Sequence, residues 1–74
     1  MPAGKIETML KAMLAPENAA LARMLAPDER AAAASAILAA FRSLRRGDEK
    51  LQDVCRRIGI RAMISAVAVP TTGT

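Results

Sequence analysis

Histidine, tryptophan and tyrosine are absent from this 74-residue chain, which holds one cysteine, Cys55, and one phenylalanine, Phe41. Each shortage excludes something. A lone cysteine permits no internal disulfide. A structural zinc site draws about four ligands from Cys and His, and that donor set is missing. No histidine is present to deprotonate a nucleophilic thiol. The near-absence of aromatics, 1% of residues, argues against a β-rich fold, where aromatic and β-branched side chains are enriched. The four glycines are isolated, so no glycine-rich phosphate loop is formed. The longest apolar stretch near the end, "AMISAVAV" at 62–69, is far short of the ~20 residues that a bilayer span requires. The opening "MPAGKIETML" places Glu7 where a secretory leader needs an unbroken apolar core. The expectation is a soluble, cytoplasmic protein with no membrane span, and a free cysteine suits a reducing compartment.

What is present is helix-forming material. The chain is 53% hydrophobic, too apolar for a disordered segment, and Ala, Leu and Met carry that content, all strong helix formers. A chain this short forms one domain at most and buries a small share of its surface. With disulfide and metal excluded, efficient helix packing and self-association remain as sources of stability. Residues 1–70 are therefore expected to form a single all-α domain, a compact bundle of four to five short helices and a homo-oligomer, with 71–74 as a flexible tail.

Apolar spacing and proline punctuation set the elements. Ile6, Met9, Leu10, Met13 and Leu14 recur at helical intervals and predict a helix over Gly4 to Leu14, stopped by Pro16. "MLAPEN" at 13–18 is echoed by "MLAPDE" at 24–29. In each copy a proline followed by an acid marks a helix start. A short second helix is predicted from Pro16 to Leu25, with Leu21, Met24 and Leu25 as its stripe. A long third one runs from Pro27 to Arg46, with Ile37, Leu38, Phe41 and Leu44 inward and Ala33, Ala34, Ala36 and Ala40 broadening the face. Gly47 reads as its C-terminal cap and Asp48 as the N-cap of a fourth helix, Glu49 to Ile58, with Leu51, Val54, Cys55 and Ile58 on one face. Gly59 interrupts. Ile60, Met63, Ile64 and Val67 then begin a stripe out of phase with the last, which predicts a turn at Gly59 and a final helix stopped by Pro70. "AVAV" at 66–69 also admits a short strand.

The formal charge is +4 and is segregated. Up to residue 41 the charges cancel. The interval 42–61 holds Arg42, Arg45, Arg46, Lys50, Arg56, Arg57 and Arg61 against Asp48, Glu49 and Asp53. Such a local field attracts nucleic acid, anionic lipid or an acidic protein surface. Cations in the last turn of a helix also gain ~0.3–1 kcal/mol from its dipole alone, and Arg42, Arg45, Arg46, Arg56 and Arg57 all fall in predicted last turns.

"LQDVCRRIGIRAM" at 51–63 resembles the start of the bacterial helix-turn-helix pattern: hydrophobic Val54, small Cys55, Gly59 at the turn, then hydrophobic Ile60. The resemblance implies a DNA-binding regulator. The following segment departs from the pattern, because a recognition helix offers polar side chains to base edges and "RAMISAVAV" offers only Arg61 and Ser65. Ser65 also stands where an internal hydrophobic residue is expected.

Cys55 lies on the apolar face of its helix and reads as a small core hydrophobe. No catalytic residue and no cofactor site is expected. The functional expectation is a small, non-catalytic regulator, inhibitor or adaptor that acts by protein–protein contact, as a homodimer, on a partner protein for which an acidic surface is one candidate, with nucleic acid as the second choice. Candidate contacts are the basic set Arg42, Arg45, Arg46, Arg56, Arg57 and Arg61, and an apolar anchor of Met9, Met13 and Met24. Methionine is adaptable at binding surfaces, although at helical spacing it also fills cores.

Overall fold

In a computed structural model of the chain, residues 2–68 are described. Four α-helices and one 3-10 segment follow in order: α1 (Ala3–Leu14), a 3-10 segment (Pro16–Met24), α2 (Pro27–Leu44), α3 (Leu51–Ile58) and α4 (Ile60–Ala68). Among the described residues there is no strand. The helical reading of "AVA" therefore holds through Ala68. Pro70, the predicted stop, and the tail 71–74 lie outside the described residues.

α1 forms where the apolar spacing placed it. Ile6 and Leu10 are buried, and Met9, Met13 and Leu14 pack half-buried against the same core. On the outer side Lys11 pairs with Glu7 one turn earlier at 3.0 Å. Pro16 disfavours helical dihedrals in the residue before it, so Ala15 is extended, with φ −142° and ψ 132°. The same rule acts at Ala26, with φ −65° and ψ 155°, ahead of Pro27.

Between these prolines the predicted second α-helix is instead a nine-residue 3-10 segment, long for that geometry. Three residues per turn align Asn18, Leu21 and Met24 along one edge. The expected stripe is split: Leu25, just past the segment, is buried, Leu21 is half-buried and Met24 is 75% exposed. The segment buries none of its own residues fully, so no apolar face rewards the α-helical period there.

Glu29 ties α2 to α1. Its Oε1 accepts the Ala26 N–H at 3.0 Å, as an acid three residues into a helix does in a capping box. Its Oε2 pairs with Lys5 of α1. α2 buries Ala33 and Ile37 and packs Ala40, Phe41 and Leu44 against the core. Leu38, expected inward, is 40% exposed. It sits one residue, about 100°, past Ile37, and the inner stripe follows Ala33, Ile37, Ala40 and Leu44.

The end of α2 also differs from expectation. The helix stops at Leu44, and Arg45 is extended at φ −66°, ψ 149°. Gly47, with φ +62°, is a turn residue, not a helix cap, and the turn closes with Glu49 N–H on Arg46 O at 3.3 Å. Asp48 caps nothing. The N-cap of α3 is Lys50, whose N–H is accepted by Asp53 Oδ2 at 2.9 Å, so α3 starts two residues later than predicted.

α3 buries Val54 and Cys55, and Gln52 Nε2 reaches across to donate to Leu14 O, at the end of α1, at 2.9 Å. Gly59 alone joins α3 to α4, at φ +91° and ψ 147°. α4 buries Met63 and half-buries Ile64 and Val67. The core is thus Ile6, Leu10, Ala33, Ile37, Val54, Cys55 and Met63, contributed by all four helices.

Candidate functional site: a basic rim around the α2–α3 connection

The segment that carries the net charge, 42–61, runs from the last turn of α2 through the loop and the whole of α3 to the start of α4. The loop is held by one arginine. Arg57, in the last turn of α3, grips Glu49 with both ends of its guanidinium: Nε to Oε2 at 2.9 Å and Nη2 to Oε1 at 2.8 Å. The same Nη2 donates to Leu44 O, the last residue of α2, at 2.7 Å. Glu49 Oε1 also accepts the Arg46 N–H at 2.8 Å. A helix end leaves carbonyls without partners, and here a side chain from the next helix supplies one. That explains why α2 ends without a glycine cap. The Arg57 guanidinium, followed by the Arg46 N–H, holds the Glu49 carboxyl down at about 2. Glu49 in turn raises Arg57 above its ordinary value.

Arg57 therefore has three internal bonds, which distinguishes it from the rest of the predicted basic set. Arg42, Arg46, Arg56 and Arg61 are exposed. Arg45 is exposed too, with Nε on Gly47 O at 3.1 Å and its guanidinium carbon 5.2 Å from the Phe41 ring centroid. That placement sets the guanidinium over the ring face and fixes its direction.

Two shallow hollows adjoin this rim on the α1, α3 and α4 side, and Ile60 borders both. One, of about 360 Å³, is lined by Leu14, Gln52, Cys55, Arg56 and Ile60. The other, of about 330 Å³, is lined by Glu7, Ile60, Arg61, Ile64 and Ser65. Ile60 was counted with the inner stripe of the last helix, yet it is 39% exposed. It is the first residue of α4, directly after an exposed glycine, so no preceding turn covers it. Its place at the helix start was the available signal.

The methionines divide. Met9 and Met13 are half-buried against the core, Met63 is buried and Met24 is open to solvent. Leu10, in the same stripe of α1 as Met9 and Met13, is fully buried. Cys55 is 5% exposed, and burial pushes its thiol up, away from the thiolate that a nucleophile needs. Among the described residues no three Cys, Asp or Glu side chains gather into a metal-binding group.

The helix-turn-helix resemblance meets a geometric test at Gly59. That motif joins its helices through a turn of three to four residues, whereas here one residue separates α3 from α4. The exposed face of α4 presents Ile60, Arg61, Ala62, Ser65 and Ala66, of which only Arg61 and Ser65 carry groups that can read a base edge.

No family model, curated protein or solved structure matches the chain. Fold and site together define an all-α helical bundle with an arginine-rich rim, in which no helix of the described residues is long and apolar enough to cross a membrane.

Proposed function

We propose that this chain is a small non-catalytic regulator, inhibitor or adaptor that acts as a homodimer by contact with an acidic protein. The observation that carries the reading is the segregation within the basic set. The guanidinium of Arg57 is engaged by Glu49 and the Leu44 carbonyl at the surface, while Arg42, Arg46, Arg56 and Arg61 have no side-chain ion pair or hydrogen bond among the described residues. Exposed cations steer association and set its rate. Each exposed ion pair adds only ~0–1 kcal/mol, so lasting affinity needs an apolar contact. Ile60, flanked by Arg56 and Arg61 at the two hollows, supplies one beside the charges. Met24 is the member of the predicted methionine anchor that remains open.

The test is co-purification from the source cell with wild type and with Arg56→Glu/Arg61→Glu, read by mass spectrometry. The expected result is an acidic protein retained by wild type, released by salt and absent from the variant. A DNA-binding regulator is the second reading, carried by the exposed arginines beside the α3–α4 joint. Phosphate contacts would make that binding fall steeply with salt. A tight, sequence-selective gel shift at physiological salt overturns the first reading in favour of the second.

A further inference from the structure

We propose that the outer face of α2 pairs with the same face of a second copy, antiparallel about a two-fold axis at Ser35, with Asp28 of each chain against Arg42 of the other. The inference deepens the homodimer reading above and rests on it. The inner side of α2 is spent on the core through Ala33, Ile37 and Phe41. The opposite side is exposed along its length at Asp28, Ala31, Ala32, Ser35, Leu38, Ala39 and Arg42. Leu38 is one of only three large apolar side chains open to solvent among the described residues.

Asp28, Ala31, Ser35, Leu38 and Arg42 recur at steps of three and four residues and so share one face of the helix. The monomer's own apolar stripe lies on the other side.

The charges then select the occupant. Asp28 and Arg42 lie at equal distances, ~10 Å by helix rise, on either side of Ser35, and carry opposite signs. Neither has an ion-pair partner among the described residues. In a parallel copy like charges meet. In an antiparallel copy both ends pair at once, which is the self-complementarity that a two-fold interface demands. The same register sets Leu38 against Ala32 and Ala31 against Ala39, so the one large side chain faces a small one on both halves. Alanine and serine allow axes near the ~8 Å lower limit of helix packing.

The experiment is sedimentation equilibrium of the full chain from low to high micromolar concentration, with circular dichroism as the folding control. Wild type is expected to dimerise reversibly, and Leu38→Glu to be a folded monomer. Asp28→Arg and Arg42→Asp should each weaken association by about 10-fold, because in a two-fold dimer a single reversal turns both symmetry-related pairs into like-charge contacts. The double swap should restore association. Restoration separates pairing from the helix dipole, since the double swap places both charges at the wrong helix ends and lowers the melting temperature. In a Cys55→Ala background, Ser35→Cys should cross-link with itself on oxidation. Asp28→Cys should cross-link only with Arg42→Cys. A dimer that survives Leu38→Glu, or a double swap that does not restore it, overturns this face while leaving the homodimer reading intact. A wild-type monomer at every concentration overturns both. Should that monomer lose its acidic partner on Leu38→Glu, the face belongs to the partner.

Discussion

Gly59→Ala separates a strained joint from an ordinary turn. Gly59 has φ +91° and ψ 147°, a region that only glycine enters readily, and holding another residue there costs about 1–3 kcal/mol. A Cβ built at this position meets nothing within 4 Å, so no steric clash with a neighbour adds to that cost. A domain of this length has a total stability of roughly 4–11 kcal/mol. The substitution therefore removes a large share of it without touching a core side chain. With a urea slope near 1 kcal/mol/M, the low end for small proteins, the unfolding midpoint should fall by about 1–3 M. Gly4 is the control. It lies inside α1 with equally open space around its Cβ, so Gly4→Ala should raise the midpoint, by up to ~1 kcal/mol of stability. Chemical synthesis reaches 74 residues, and Gly59→D-Ala, which favours positive φ, should restore or exceed wild-type stability. Equal midpoints for Gly59→Ala and wild type would refute the one-residue joint and reopen a longer, relaxed turn of the helix-turn-helix kind.

Glu49 sits at about 2 in the folded chain against an ordinary 4.5. A depressed folded value contributes stability that is present above 4.5 and lost as pH falls toward 2. Urea midpoints measured across that window should therefore drop more steeply for wild type than for Arg57→Ala, which removes the principal cause of the depression. Ile37→Ala and Met63→Ala each empty a fully buried position and should cost ~2–5 kcal/mol, whereas Met24→Ser, at an open site, should stay within ~0.5 kcal/mol of wild type, both read by urea melts. Met13→Asp places a charge against the core and should lower the melting temperature sharply in calorimetry. Cys55 should resist a thiol reagent in the native state and react at once in urea, since its sulfur is buried and its thiol pushed up.

The helices were legible because their signals are local. Five apolar residues at helical spacing define α1, prolines at 16 and 27 set the breaks on either side of the 3-10 segment, and the change of phase after Ile58 exposes the joint at Gly59. Residues Val54, Cys55 and Met63 were placed in the core by the same periodicity, and the charge segregation to 42–61 needs only counting. Three things depended on tertiary structure. The 3-10 winding of Pro16–Met24 goes with a segment that buries none of its residues fully and so has little to hold an α-helical register. The end of α2 at Leu44 was decided by Arg57, thirteen residues on, whose guanidinium occupies the Leu44 carbonyl and clamps Glu49. Spacing alone points to a glycine cap at 47, because a side chain arriving from the next helix leaves no mark in the local sequence. The sorting of the arginines and methionines was likewise a property of the fold. A guanidinium is bound or free, and a thioether inner or outer, according to which backbone the packed helices bring beside it, and residue type and spacing do not contain that distance.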